Sequence, residues 1–192
     1  QQAYYFDSID STQNQALKMV NESENDGVII IAEKQTGGKG RSGRKWISPK
    51  GGIWLSVILH PKFDISITTL FPIASSLALS YAIEKTCGMS PSLKWPNDLT
   101  VNGKKLAGML VDVSMQSNRI ESLVLGVGIN FNVNVKEIRK ELKNTLNYYG
   151  IVSLSEQKNK VTAVELVQSF LLELEKIYEL LNMNQTKKII SE

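Results

Sequence analysis

A glycine- and cation-rich segment at residues 36–52 interrupts the regular patterns of the chain. Gly38, Gly40 and Gly43 alternate there with charged residues, and an aromatic residue, Trp46, follows them. The interleaved cations are Lys39, Arg41, Arg44 and Lys45. Closely spaced glycines let backbone N–H groups approach an anion, and guanidinium groups fit phosphate and carboxylate oxygens. We therefore interpret the segment as an anion-binding loop; the alternative is a solvated surface loop whose cations only aid solubility.

The same glycines match the G-x-G-x-x-G fingerprint of dinucleotide-binding folds. That fingerprint requires a helix to begin at the third glycine, so that a pyrophosphate lies on the helix N-terminus. Here Gly43 is followed by Arg44 and Lys45, and soon afterwards by Pro49 and Gly51, so no helix can begin there. The match is a coincidence, and a Walker A loop is excluded because it needs Lys-Ser/Thr after its last glycine.

Residues 94–98, with the sequence K-W-P-N-D, form a second cluster of polar side chains. Pro96 cannot donate a hydrogen bond to a strand ladder. We therefore expect a strand to break there and Asn97 and Asp98 to project from the break. The alternative is an Asx turn beside a packed Trp95, with no role in chemistry.

Two further motifs place small residues inside predicted strands. Residues 105–110 (K-L-A-G-M-L) follow an Asn-Gly turn, and residues 126–130 (G-V-G-I-N) lie towards the end of the last strand. Small residues in a strand interior favour close approach by a ligand or by another backbone. Lys105 and Asn130 are candidate binding residues beside them. The alternatives are a solvent-facing lysine and two ordinary strand bulges.

A single histidine, His60, and a single cysteine, Cys87, restrict the chemistry of the chain. A zinc site with several His or Cys ligands cannot be assembled, and a Ser-His-Asp or Cys-His hydrolase would need His60. No G-x-S-x-G nucleophile elbow is present. Lysine, arginine, carboxylate and backbone groups must therefore carry any reaction. One cysteine cannot form an internal disulfide, which fits a reducing compartment.

The composition of the 192 residues, with 42% hydrophobic and 21% charged side chains, is that of an ordinary globular domain. It excludes a disordered, collagen-like or coiled-coil chain. The formal charge of +3 is too small to indicate nucleic-acid binding by itself. Because no apolar run approaches the roughly 20 residues that cross a bilayer, and no signal peptide is visible, we expect a cytoplasmic protein without a membrane partner.

Hydrophobic periodicity predicts the elements that must position these motifs. Strands are predicted at residues 4–6, 28–32, 53–59, 99–101, 105–111 and 119–132, with a strand-like stretch at 93–98. Helices are predicted from Asp10 or Ser11 to about Asn21, and at residues 66–87, 135–148 and 161–183. The order of these elements favours an α+β domain, with a mixed, mostly antiparallel β-sheet flanked by α-helices.

Together the four motifs resemble those of the biotin protein ligase family, in its biotin–acetyl-CoA-carboxylase ligase form. The family pattern G-R-G-R-x-G-R-x-W stands at residues 38–46, with Lys39 in place of the first arginine. K-W-P-N-D is intact, and K-[LI]-[AG]-G-[IVM]-L and G-[IV]-G-[IL]-N stand at residues 105–110 and 126–130. The resemblance runs from Asp10 to the last helix, and four motifs in order are far more specific than any one of them.

The resemblance implies a fold and a domain organisation. The expected fold is the biotin–lipoyl ligase fold, which is similar to that of class II aminoacyl-tRNA synthetases. Residues 1–183 would form the catalytic domain, and residues 184–192 would begin a C-terminal tail or linker. We expect the family's N-terminal winged helix-turn-helix and its small C-terminal β-barrel to be absent from this chain, which gives no support to a repressor role.

The resemblance also implies ATP-dependent biotin ligation in two half-reactions. Biotin and Mg²⁺-bound ATP would give biotinyl-5′-AMP and pyrophosphate, and a lysine of a biotin carboxyl carrier protein would then attack the mixed anhydride. Protein residues would supply no metal cluster, although Mg²⁺ could lie near Asp98. The family allows a homodimer paired through sheet edges.

By the same resemblance, the motif residues take three roles. The expected catalytic residues are Lys105, Arg41 and Asp98. The expected biotin-binding residues are Ser11, Thr12, Gln35, Gly38, Lys39 and Gly108. The expected residues for ATP and the adenylate are Lys39, Arg41, Arg44, Trp46, Lys94, Asn97, Lys105 and Asn130. A lysine ammonium cannot form the bidentate fork of arginine, so Lys39 should hold an anion less firmly while keeping the sign of the charge.

Two other functions stay open from the sequence. A lipoate-protein ligase or octanoyltransferase shares the fold and transfers an acyl group to a carrier lysine, but it lacks the glycine–arginine loop at residues 38–46. A non-enzymatic nucleic-acid-binding module would use the basic loop. It would bind with a salt dependence set by several phosphates and would turn over no nucleotide.

Overall fold

One β-sheet of seven strands organises the computed structural model, which describes residues 2–21, 26–142, 150–157, 160–186 and 189. The strands are β1 (Ala3–Phe6), β2 (Val28–Ala32), β3 (Ile53–Leu59), β4 (Ser92–Lys94), β5 (Asp98–Val101), β6 (Lys104–Gln116) and β7 (Arg119–Ile129). The helices of the described part are α1 (Thr12–Met19), α2 (Phe71–Cys87), α3 (Val135–Leu142) and α4 (Ala163–Asn182). Short 3₁₀ helices lie at Arg41–Gly43, Ile65–Thr69 and Leu154–Gln157. Among the described helices, none has the length and apolar character that a membrane crossing requires.

The strand order is β1-β2-β3-β7-β6-β5-β4, and every neighbouring pair is antiparallel except β1 with β2. The expectation of a mixed, mostly antiparallel sheet flanked by helices is therefore confirmed. Asn102 and Gly103 have φ angles of 51° and 72°, so both central residues of the β5–β6 turn are left-handed, as a tight hairpin of type I′ requires.

The side chains on both faces of β3 are buried, because the strand lies between two packed layers of the fold. Leu55 and Val57 belong to the main core, which also contains the buried faces of α2 and α4. Ser56 and Ile58 lie on the opposite face of the sheet, where α1 packs. The candidate site is on this second face.

The predicted helix at residues 66–87 begins later than expected. A 3₁₀ helix capped by the side chain of Asp64 covers its first residues, and α2 starts only at Phe71. Pro72 explains the difference, because proline has no N–H and its ring clashes with the carbonyl four residues earlier inside a helix. It is tolerated only in the first turn, where the structure places it.

The other boundaries differ from expectation by smaller amounts. α1 ends at Met19 rather than about Asn21, and β6 continues five residues past the predicted Val111 to Gln116. β7 ends at Ile129, three residues before the predicted end. Residues 143–148, the last part of the predicted third helix, lie outside the described residues.

Candidate active site

Glycines of β6 and β7 form the floor of a cavity of about 400 Å³. Gly108 and Gly128 are paired across the two strands. A Cβ atom would lie 3.0 Å from the Trp46 ring at Gly108 and 2.7 Å from it at Gly128. At Gly126 it would lie 2.5 Å from Oε1 of Gln13. In this structure the small residues of the two motifs make room for side chains of the protein itself.

A buried cluster of neutral polar side chains lines one part of the cavity. The N–H and Oγ1 of Thr12 donate to Oε1 of Gln35 at 2.8 and 3.1 Å, and Nε2 of Gln35 donates to Oγ of Ser48 at 2.8 Å. Oγ of Ser56 lies 3.0 Å from Oγ1 of Thr12 and 2.9 Å from Oε1 of Gln13. Because the members hold one another, the cluster offers fixed hydroxyl and amide groups, and Nε2 of Gln13 also donates to Oδ2 of Asp112 at 2.8 Å.

Ser11 reaches this cluster because it caps α1. Its side chain accepts a hydrogen bond from the N–H of Asn14 at 3.4 Å, which satisfies a helix N–H that has no intrahelical partner. Ser11 and Thr12 are both buried at the cavity. The start of α1 thus fixes two polar residues in the site.

The glycine–cation segment is an ordered hairpin, which we call the flap (residues 38–46). The N–H of Gly40 donates to the carbonyl of Arg44 at 2.7 Å, and the N–H of Trp46 donates to the carbonyl of Gly38 at 2.8 Å. These two bonds hold the strands of the hairpin together. The flap therefore projects its cations from a defined backbone, and the helical turn that it contains is the short 3₁₀ helix Arg41–Gly43.

The tip of the flap turns through two left-handed residues, Ser42 with φ 56° and Gly43 with φ 71°. Beside the tip, Nη1 of Arg41 donates to Oδ1 of Asn97 at 2.9 Å. Asn97 is itself anchored, because its Nδ2 donates to the carbonyl of Met109 at 2.7 Å. The break in the K-W-P-N-D motif thus presents an amide that orients the flap arginine.

Lys105 is a largely buried cation in contact with Trp46 of the flap. Its Nζ lies 2.7 Å from Oδ2 of Asp98 and 4.6 Å from the centre of the Trp46 ring. Burial lowers the pKa of Lys105; the carboxylate of Asp98 raises it in part, and the charges of Arg44 and Lys94 lower it further. Burial and the carboxylate of Asp98 thus act on the Lys105 ammonium in opposite directions.

The backbone of Lys105 is fixed by a later segment, residues 150–154, which we call the strap. The N–H of Lys105 donates to the carbonyl of Gly150 at 3.0 Å, and the N–H of Val152 donates to the carbonyl of Lys105 at 3.0 Å. Nδ2 of Asn130 donates to the same Lys105 carbonyl at 3.2 Å. Asn130 thus acts here on the lysine backbone.

Helix α3 forms a further wall of the cavity and holds the strap. Nη2 of Arg139 donates to the carbonyl of Ile151 at 3.0 Å. Ile138 and Glu141 of the same helix line the cavity. Nζ of Lys45 on the flap lies 3.9 Å from Oε2 of Glu141, although both side chains are exposed and the pair contributes little.

The indole of Trp46 has a buried donor without an acceptor. Its ring packs edge-to-face against Trp54, with the ring centres 6.5 Å apart. Nε1 of Trp46 is buried, and no residue of the described structure accepts a hydrogen bond from it. A buried N–H normally finds a partner, so this donor is suited to an acceptor atom of a bound ligand.

Most of the residues expected at the site line the cavity. They are Ser11, Thr12, Gln35, Lys39, Arg41, Arg44, Trp46, Asn97, Asp98, Lys105, Gly108 and Asn130. Gly38 and Lys94 are not among the lining residues. Gly38 is buried in the hairpin beneath Trp46, and Lys94 lies in β4 opposite Asp98, from where its charge reaches Lys105.

The sequence analysis missed several residues that line the cavity. They are Gln13, Ser56, Ile138, Glu141, Gly150 and Ile151. One signal was available: Ser56 is the polar residue in the otherwise apolar strand Ile53–Leu59. A polar side chain inside such a strand needs a buried partner. The remaining residues approach the site through long-range packing and carry no local signal.

The described residues contain no group of three or more His, Cys, Asp or Glu side chains that could hold a metal ion. Asp98, the carboxylate expected near a metal, is paired with Lys105. The side chains of the described site therefore do not form a protein-built metal centre.

Comparison with known sequences identifies the family of the chain. The family model for the biotin/lipoate A/B protein ligase family matches residues 5–130. A bifunctional ligase/repressor BirA of Bacillus subtilis is 34% identical over 180 residues, which are 93% of this chain and 54% of that protein. A biotin–[acetyl-CoA-carboxylase] ligase of Paracoccus denitrificans is 32% identical over 123 residues, 63% of this chain and 51% of that protein. The chain spans about half the length of these relatives.

Solved structures agree with this relationship. A biotin protein ligase from Aquifex aeolicus in complex with biotin and ATP superposes with a TM-score of 0.78 at 28% identity, covering 95% of this chain and 72% of that one. A biotin protein ligase from Leishmania major in complex with biotinyl-5-AMP, at 20% identity and a TM-score of 0.74, covers 98% of this chain and 81% of that one and shows the same fold. On these grounds, the chain belongs to the biotin/lipoate A/B protein ligase family.

Proposed function

We propose that this protein is a biotin protein ligase. It activates biotin with ATP to biotinyl-5′-AMP and pyrophosphate, and it transfers the biotinyl group to a lysine of a biotin carboxyl carrier protein. One observation carries the proposal: a single cavity contains a buried neutral polar cluster and a flap of cations beside Lys105. Similarity to a ligase structure that contains biotin and ATP supports the choice of substrates.

The polar cluster is assigned to biotin. The ureido ring of biotin is neutral, donates through two N–H groups and accepts through one oxygen, which suits the fixed hydroxyl and amide groups around Thr12. The residues assigned to biotin are Ser11, Thr12, Gln35, Gly38, Lys39 and Gly108. Gly38 would contact biotin through its backbone, and Gly108 would leave space for the biotin ring. The hydroxyl and amide side chains would supply the polar contacts.

The flap is assigned to the nucleotide and its developing charge. In the first half-reaction a carboxylate oxygen of biotin bonds to the α-phosphorus of ATP, and the bond from that phosphorus to the bridging oxygen breaks to release pyrophosphate. The residues assigned to ATP and the adenylate are Lys39, Arg41, Arg44, Trp46, Lys94, Asn97, Lys105 and Asn130. Lys105 neutralises the carboxylate and α-phosphate oxygens, and fixed cations in a partly dry cavity stabilise such charge effectively.

Asp98 is assigned to the positioning of Lys105, with which it forms the 2.7 Å ion pair. A role in holding Mg²⁺ is not supported by the donor set, because the described part of the chain gathers no carboxylate cluster. Any Mg²⁺ would arrive with the phosphates of ATP.

Lipoate ligation is the second candidate, because the matched family includes lipoate ligases as well. The flap with its glycine–arginine pattern favours biotin. We further propose a cytoplasmic location, because a single cysteine fits a reducing compartment. A catalytic domain of residues 1–183, followed by a tail, and a homodimer through sheet edges belong to the same proposal.

The direct test uses the full chain, ATP, Mg²⁺ and a carrier domain. We expect mass spectrometry to detect the mass increase of one biotinyl group on the carrier, dependent on ATP and biotin. Parallel reactions with lipoate and with octanoate should leave the carrier unmodified. An increase with lipoate but not with biotin would overturn the proposal in favour of the second candidate.

A further inference from the structure

The most exposed large hydrophobic side chain of the described structure belongs to a turn that also contributes residues to the cavity. Trp95 has a relative exposure of 76%, and Leu93, two residues earlier, has one of 39%. Trp46 is partly buried and Trp54 fully buried, so Trp95 differs from both other tryptophans. An exposed tryptophan is uncommon on a surface without a partner, whereas tryptophan is enriched among the residues that dominate protein interfaces.

The position of Trp95 is set by the K-W-P-N-D turn. Lys94 and Asp98 are directly paired across β4 and β5, and the turn between them consists of Trp95, Pro96 and Asn97. Three peptide steps separate Trp95 from Asp98, so their Cα atoms are no more than about 11 Å apart. Asn97 and Asp98 line the cavity, so Trp95 belongs to the same turn as two cavity residues.

β4 is the last strand of the sheet. Among the described strands, β4 pairs with β5 alone, so it is the edge strand on this side of the sheet. Cations of the flap, including Arg41 and Lys39, line the same cavity as Asn97 and Asp98. An edge strand, an exposed tryptophan and nearby cations together favour a partner that combines an apolar residue with acidic ones.

We propose that Trp95 and Leu93 form the docking site of the carrier domain, an inference that rests on the proposed function. The occupant is a folded domain that exposes its acceptor lysine between an apolar residue, which packs on Trp95, and acidic residues, which face the flap cations. The carrier domain docks at the mouth of the cavity because its acceptor amine must reach the adenylate inside. There the deprotonated amine bonds to the acyl carbon, the bond from that carbon to the phosphate oxygen breaks, AMP leaves, and a base takes one amine proton.

The test separates docking from chemistry. Trp95→Ala should raise the KM for the carrier domain at least about tenfold, since truncating a central interface tryptophan has effects of this size. Biotin-dependent pyrophosphate exchange should stay unchanged, and so should the release of AMP when hydroxylamine, a small amine that needs no docking, attacks the adenylate. Leu93→Ser should act in the same direction, and Trp95→Phe should restore most of the carrier affinity.

Tyr5→Ala is the matched control, because Tyr5 is 64% exposed on β1, the strand at the opposite edge of the sheet. It should leave the carrier KM unchanged. An unchanged KM in Trp95→Ala, or an equal loss in hydroxylamine trapping, would overturn the inference. A change in sedimentation without a change in carrier KM would overturn it too, since Trp95 would then serve an interface between copies of this chain. If the unaltered protein forms no biotinyl adenylate, the proposed function itself has failed.

Discussion

At the scale of single residues, Lys105 combines burial with a close carboxylate partner. Burial lowers its pKa, and the carboxylate of Asp98 at 2.7 Å opposes that effect. The protonated ammonium is the form that can neutralise charge on phosphate and carboxylate oxygens. Retention of this proton therefore sets the upper end of the pH range in which the proposed first half-reaction can run.

Replacing Asp98 by Asn should shift the alkaline limit of adenylate formation. Without the carboxylate, the interaction that raises the pKa of Lys105 is lost, so the pKa falls further and activity is lost at a lower pH than in the unaltered protein. Below that alkaline limit, Lys105→Ala should reduce the rate by about 10²–10³-fold. Biotin-dependent exchange of labelled pyrophosphate into ATP measures both effects. Asp64→Asn, at a helix cap far from the flap in sequence, is the control; an unshifted Asp98→Asn profile would contradict the assignment.

Arg41 should keep the adenylate in place. Its guanidinium is oriented by Asn97 at 2.9 Å and lines the cavity. Arg41→Gly removes a charge-assisted contact and should accelerate the loss of bound adenylate about 10–100-fold. Released adenylate would label bystander proteins. A blot for biotin on added serum albumin measures this labelling.

Lys50→Gly serves as control, because Lys50 pairs with Glu33 outside the cavity. Equal retention of adenylate in both variants would remove Arg41 from this role.

At the scale of elements, the catalytic end of β6 depends on the strap and on α3. The strap binds both backbone groups of Lys105, and Arg139 of α3 holds the strap through the carbonyl of Ile151. The same helix contributes Ile138 to the cavity wall. Arg139 is therefore a positioning residue, which acts on the reaction through the backbone that carries the lysine.

Arg139→Ala should lower kcat for adenylate formation about tenfold, since it removes a charge-assisted hydrogen bond and leaves a carbonyl without its partner. The KM for biotin should stay unchanged, because the hydrogen bonds of Thr12 in the polar cluster join it to Gln35 and Ser56, not to the strap. Arg139→Lys should recover part of the rate. Lys136→Ala, on the exposed side of α3, is the control. A proportional rise in the biotin KM would indicate general damage to the fold instead.

Local sequence patterns predicted those elements whose signals are local. β2 and β3 follow from runs of β-branched and apolar residues, and the β5–β6 hairpin follows from Asn102-Gly103. The helix predicted at residues 161–183 is α4, which begins at Ala163 after the capping box of Thr162 and Glu165. The strap was missed because its residues pair with a strand far earlier in the chain. No pattern within a short segment encodes such a pairing.

At the scale of the whole molecule, the register of the sheet assembles the site. Trp54, Gly128, Gly108 and Asp98 are successive partners across β3, β7, β6 and β5. This row places two glycines beneath Trp46 and Asp98 beside Lys105. The sequence analysis singled out Gly128, Gly108 and Asp98 from three separate motifs, but the register that aligns them with one another and with Trp54 depends on pairing across the entire sheet.

The residues that line the cavity all lie between Ser11 and Ile151, and α4, which completes the main core, ends at Asn182. A chain cut after Met183 should therefore fold and form adenylate at a rate within about twofold of the full chain. It should melt about 2–4 °C lower, because Ile189 packs against the main core and would be lost. Calorimetry and pyrophosphate exchange measure the two effects.

A cut after Leu171 is the contrasting control, since it removes the buried Leu174, Ile177 and Leu181 and should abolish folding. A folded 1–183 chain without adenylate formation would show instead that the last residues belong to the site.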